Sequence, residues 1–180
     1  MPIASTDILY KLSTQSGAAG NSTTQANPNN SLGKYISTTQ ITDATLNNLF
    51  DDISGDENAA STVDYRCFFV HNAHATITWL APYVWISAEV AGGASVAIGL
   101  DPAGVVAIGS SSAQAAVPAN ETTAPSGVSF SSPTTKSGGL ALPNIAPGYC
   151  AAIWIRRTAA NTTAVNSDGC TIRVEGDTTA

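Results

Sequence analysis

From Asp64 to its end the chain places its apolar residues in short runs parted by turn formers. The runs cover residues 65–71, 75–80, 83–90, 94–100, 105–108, 128–130, 149–157 and 170–175. They are rich in Val, Ile, Trp, Tyr and Phe, and none is long enough for a typical buried helix. Ala81-Pro82 parts the second run from the third, and Asp101-Pro-Ala-Gly104 has the make-up of a hairpin turn between the fourth and fifth. Short strands at this spacing predict a mainly β protein, an antiparallel β-sandwich of immunoglobulin-like or jelly-roll type.

Two segments precede the predicted sandwich. Residues 42–54 carry Leu46, Leu49, Phe50 and Ile53 at i, i+3, i+4 and i+7, the spacing of one helical stripe. Thr42 or Asp43 would cap such a helix, and Gly55 would end it. Residues 1–40 read as an extended N-terminal arm. Ile8, Leu9 and Tyr10 form one apolar anchor, and Leu32, Tyr35 and Ile36 form a second. Between the anchors, residues 13–31 hold almost nothing that burial would reward. The expected organisation is therefore an arm (1–40), an amphipathic helix with an acidic loop (41–60) and a sandwich (61–180). The six anchor residues are the candidate assembly interface, lying on the chain's own body or on a neighbouring subunit.

The chain is short of charge. Asp, Glu, Lys and Arg make up 11% of it, against about 25% in ordinary domains, and the net charge is −6. An acidic chain with seven dispersed Lys and Arg residues is a poor match for nucleic acid, whose binders present several cations to phosphates. No apolar run approaches the roughly 20 residues of a membrane helix. The first residues lack the basic and apolar regions of a secretory signal. Cys67, Cys150 and Cys170 follow no disulfide framework, and the first two sit inside apolar runs as small buried hydrophobes. Unpaired cysteines fit assembly in a reducing cytoplasm.

Catalytic and metal chemistry find little support in the sequence. His71 and His74, the two histidines, would point to opposite faces of a continuing strand. The series Asp52, Ser54, Asp56, Asn58 alternates oxygen ligands, but the Gly and Glu that an EF-hand loop needs are replaced by Glu57 and Val63. An irregular calcium site between Asp51 and Asp64 is the metal reading that the spacing leaves open. Gly93-Ala-Ser95-Val-Ala97 is half of a nucleophile elbow, and no His follows Ser95. The expectation is a protein that is not an enzyme and takes no cofactor. Trp85 and Trp154 are expected in the core. Trp79, beside Ala81-Pro82, is the one expected to be exposed and, with Tyr83, the basis of a sugar-stacking alternative. Of the adjacent Arg156 and Arg157, one should face outward, either to pair with an acidic neighbour or to solubilise a strand end.

Several blocks resemble virion structural proteins of tailed bacteriophages. They are Leu32-Gly-Lys-Tyr-Ile-Ser-Thr-Thr39, Leu46-Asn-Asn-Leu-Phe-Asp-Asp52, Tyr65-Arg-Cys-Phe-Phe-Val-His-Asn72, Val84-Trp-Ile86, Ile153-Trp-Ile-Arg-Arg157 and Ile172-Arg-Val-Glu-Gly-Asp177. The resemblance implies a small accessory coat protein of the capsid decoration (cement) type. It implies the major capsid protein or other coat subunits as partners and self-association, a trimer being one arrangement. It also implies a place in the virion after assembly in the host cytoplasm. A tail or baseplate adhesion module that binds host glycans is the alternative.

Overall fold

In the computed structural model, which describes residues 2–178, the chain forms two antiparallel sheets packed as a sandwich. The strands are β1 (Ile8–Thr14), β2 (Tyr35–Gln40), β3 (Val63–Asn72), β4 (Trp79–Glu89), β5 (Ser95–Ala107), β6 (Leu140–Ala141), β7 (Tyr149–Thr158) and β8 (Cys170–Thr178). One sheet runs β2-β1-β3-β7-β5, and the other runs β6-β4-β8. One short helix, α1 (Gly55–Ala60), precedes β3.

The five-stranded sheet is buried on both faces, which explains why β3 and β7 read as unbroken apolar runs. Phe68 and Val70 of β3 and Ala151, Ile153 and Ile155 of β7 point into the space between the sheets. There they meet Trp79, Val84 and Ile86 of β4 and Leu142 and Ile145. Their alternate neighbours, Cys67, Phe69, Cys150, Ala152 and Trp154, form a second core on the far side of the sheet. Among the described residues no third sheet lies over that core. Ile36, Ala115, Ala116, Val128 and Phe130 cover it, largely from the Ser- and Ala-rich stretch after β5.

Buried polar groups hold this covering layer down. The Gln114 side chain is fully enclosed. Its oxygen accepts from the Ile36 N–H at 2.9 Å, and its amide nitrogen donates to the Ala107 and Ile108 carbonyls. The buried Asp101 carboxylate accepts from the Ala116 N–H and from the Trp154 indole N–H, both at 2.8 Å. Gly33, with φ +80°, lies so close over Trp154 that a Cβ would collide with the Ala116 carbonyl oxygen and the indole ring.

Residues 1–40 are not a separate arm. β1 lies between β2 and β3, pairing with β3 from Ile8↔Asn72 to Leu12↔Phe68. Ile8 and Leu12 enter the inter-sheet core. The sandwich therefore begins at Ile8 and not at residue 61. Residues 13–31 are tied down by hydrogen bonds: Ser31 Oγ donates to the Cys67 carbonyl at 2.7 Å, and Thr38 N–H donates to the Thr23 carbonyl at 3.0 Å. Polar satisfaction does here what apolar burial does elsewhere.

The helix is also displaced. Residues 42–54 form turns, and α1 follows them. Ala44 and Asn47 take left-handed φ values of 53° and 56°, which a right-handed helix cannot contain. Leu49 is buried but Leu46 is 69% exposed, so the apolar stripe is split. α1 instead starts where a capping box stands: Ser54 Oγ accepts from Glu57 N–H, and the Glu57 carboxylate accepts from Ser54 N–H at 2.7 Å.

Two expected turns are bulges within strands. At Ala81-Pro82 β4 shifts register on β8 and continues, so that Trp79 and Val84 both face the core. At 101–104, β5 swells between Leu100↔Ile153 and Val105↔Ala151 and keeps the same partner, β7. The swelling turns Asp101 inward to reach Trp154.

Candidate contact surface

The two candidate anchors occupy one flank of the sandwich, around β1 and β2. Ile8 is buried between the sheets, and Ile36 is fully buried in the second core. Tyr10 is partly buried against Phe68, with ring centroids 6.3 Å apart. Tyr35 lies under the Lys34 ammonium, and its hydroxyl reaches the Ser111 carbonyl at 3.3 Å. Leu9 and Leu32 are half-buried. Ile8 and Ile36 thus pack within their own chain, and Leu9, Tyr10, Leu32 and Tyr35 are the anchor residues with surface left to offer.

Around them runs an ordered, uncharged rim. Residues 15–31 contain no ionisable side chain. Gln15 pins the rim by donating to the Leu32 and Pro118 carbonyls at 2.7 and 2.8 Å. A shallow depression of about 180 Å³ opens where Leu12, Pro28, Ile41, Leu46 and Asn47 meet. A second of about 300 Å³ is bordered by Gln15, Gln25, Asn30 and Leu32. Both are open hollows on a broad face.

Below this flank the charges are paired inside the chain. Arg157 and Asp64, neighbours in the β3–β7 register, form an ion pair at 2.9 Å. Arg66, fully buried, meets Glu121 at 2.5 Å and Asp51 at 3.6 Å. Asp51 also stands 3.5 Å from Arg157 and accepts a further hydrogen bond from it at its carbonyl. Phe50 lies against both guanidinium groups, 4.7 Å from Arg157 and 5.3 Å from Arg66. Leu49, Phe50 and Asp51 therefore strap the 42–54 turn across the end of the sandwich. Arg156 faces the other way and stacks on Phe130 at 5.4 Å. Arg157, the member of the pair facing inward, finds its acids within the chain.

The histidines do not converge. His74 Nδ1 accepts from the Thr76 and Ile77 N–H groups and closes a turn. His71 is buried, and its Nδ1 has no partner. Burial, with the nearby Lys11 charge adding to it, pushes the His71 pKa down to about 4. No cluster of three or more His, Cys, Asp or Glu is placed to hold a metal ion among the described residues. In the 51–64 stretch, Ser54 and Glu57 cap α1, and Asp51 and Asp64 bind arginines. The three cysteines are unpaired, and burial raises the thiol pKa of each, to about 12 at Cys150 and about 11 at Cys170. Trp79, expected at the surface, is 5% exposed, and Trp85 and Trp154 are buried too. Trp85 lies outside both cores, on the face of β4 opposite Val84 and Ile86.

His71 makes stability depend on pH. Its proton affinity is lower folded than unfolded, so between about pH 6.5 and 4 the unfolded chain binds the extra proton. Stability should be full above pH 6.5 and fall by on the order of 2 kcal/mol as the pH drops towards 4. Urea melts at pH 7.5 and 4.5 measure this, and His71→Gln should reduce the difference. An equal difference in the variant would assign the pH effect to other groups.

Comparison of the chain with protein-family models, with curated proteins and with solved structures finds no match.

Proposed function

We propose that this protein is a non-enzymatic virion structural protein that binds an assembled phage capsid and stabilises it, in the manner of a decoration protein. The observation that carries the reading is the ordered, uncharged rim of residues 15–31 beside Leu9, Tyr10, Leu32 and Tyr35. A surface already fixed by its own hydrogen bonds loses little conformational freedom on docking. Ser, Thr, Asn and Gln side chains can meet a broad hydrated partner without desolvating charges. Weak contacts of this kind gain strength when repeated across a lattice, because each later contact is intramolecular. The partners on this reading are the major capsid protein or other coat subunits. The adhesion alternative rests on exposed aromatic side chains; the three tryptophans are buried and Tyr83 is half-buried.

The test compares particles assembled with and without the protein. Ligation to the intact lattice alone should raise the temperature at which particles open, by mass action. Substituting the rim, for instance Leu32→Glu with Tyr35→Glu, should release the protein from particles. Particles lacking it that open at the same temperature but no longer adsorb to host cells would overturn the proposal in favour of adhesion.

A further inference from the structure

Of the four sheet edges, two are covered and a third is very short. Along β2, the Ile36 N–H is taken by Gln114 and the Thr38 N–H by Thr23. Along β5, Ile98 exchanges hydrogen bonds with Ser131, and Ser132 Oγ donates to the Val96 carbonyl. The third edge, β6, is only two residues long. β8 differs: it is nine residues long and pairs with β4 along one side from Cys170 to Thr178, and no backbone hydrogen bond reaches its other side among the described residues. A free edge of this length is a template for another strand.

The side chains of β8 select the occupant. Thr171, Arg173, Glu175 and Asp177 are exposed on one face, while Ile172 and Val174 pack inward on the inter-sheet core. Two copies of β8 can pair antiparallel about a two-fold axis normal to the sheet, which keeps outer face with outer face and inner with inner. Centring the axis on Val174 sets Arg173 opposite Glu175 of the other copy, twice, and joins the inner Val174 side chains. Moving the centre to Arg173 would oppose two arginines, and moving it to Glu175 would oppose two glutamates. Like charges directly opposite are destabilising and unlike charges stabilising, so the sequence of β8 is complementary to itself in one register. Within the chain Arg173 and Lys136 each lie 3.7 Å from Glu175, contacts loose enough to leave the carboxylate open to a further cation.

We infer that the free edge of β8 pairs with β8 of a second copy, antiparallel and centred on Val174, joining two three-stranded sheets into one of six strands. The inference is independent of the capsid reading.

Sedimentation equilibrium on the full chain over a range of concentrations tests it, with circular dichroism verifying the fold of each variant. The wild-type chain should reach a two-fold mass. Arg173→Glu or Glu175→Arg alone should weaken the dimer about tenfold or more, since each opposes like charges at two places. The double exchange Arg173→Glu/Glu175→Arg restores complementarity with reversed sign and should recover most of the loss. Raised salt should weaken the wild-type dimer. A monomer at all concentrations, a trimer, a dimer indifferent to the single reversals, or a double exchange no better than the singles would each overturn the inference. So would protection of the β8 amides from exchange only when capsid protein is added, which would assign the edge to a foreign strand.

Discussion

A chain lacking residues 1–31 is expected not to fold. The truncation removes β1 from its place between β2 and β3, so β3 loses a whole ladder and β2, among the described residues, loses its one strand partner. It also removes Ile8 and Leu12 from the core. Burial of side chains of this kind contributes about 1.5–3 kcal/mol each. With the lost ladder and the hydrogen bonds of Ser13 and Ser31, the deficit should match or exceed the roughly 5–15 kcal/mol by which a domain is stable. Amide dispersion in a proton–nitrogen correlation spectrum at 25 °C reports the outcome directly. A truncated chain that melts cooperatively within a few degrees of the full one would mean that β1 is dispensable.

The next largest effect is expected at Asp64. Asp64 is 3% exposed, and its carboxylate pairs with Arg157, itself nearly enclosed. Asp64→Ala leaves that guanidinium buried against Phe50 with only the partly exposed Asp51 as an acid, and should cost about 3–5 kcal/mol. Arg157→Leu in the same background should cost much less than it does alone, because the charge that needed a partner is gone. Denaturant unfolding of the wild type, both single variants and the double variant gives the coupling energy. Additive losses would show that the pair does not act as a unit.

How much was legible in advance follows from what each segment uses to hold its shape. β3 and β7 announce themselves because both faces are buried, and Phe, Val, Ile and Trp leave no other reading. β1 does not, because Ile8-Leu-Tyr-Lys-Leu-Ser-Thr14 mixes core residues with Lys11, Ser13 and Thr14, polar groups that the fold buries. The spacing of Leu46, Leu49, Phe50 and Ile53 imitates a helix, but Leu49 and Phe50 are fixed by the core and by two arginines across the chain. Local periodicity carries no trace of those partners. Pro82 and the Pro102–Gly104 group are turn signals in sequence, yet a bulge uses the same residues without reversing the chain. At the candidate surface, the anchors were legible as apolar clusters beside β1 and β2. Which of them face outward was not: Leu9 differs from Ile8 only by its place in the alternation along β1, and Leu32 and Ile36 differ in the loops laid over them.

The position of β7 governs how the protein must be made. β3 and β5 do not pair with each other; each waits for β7 to fill the place between them. During synthesis residues 108–148 emerge after β5 is complete and before β7 begins. At about 5–20 residues per second that interval lasts several seconds. Throughout it β3 and β5 each keep an open edge where β7 belongs, and both cores lack the residues that β7 supplies. A second ribosome on the same message holds an identical pair within reach. Lower temperature slows synthesis and lengthens this window, while it weakens the hydrophobic attraction that makes the window dangerous. β7 is thus the strand that closes the five-stranded sheet, and the interval before residue 150 is the one in which self-association of the growing chain is expected.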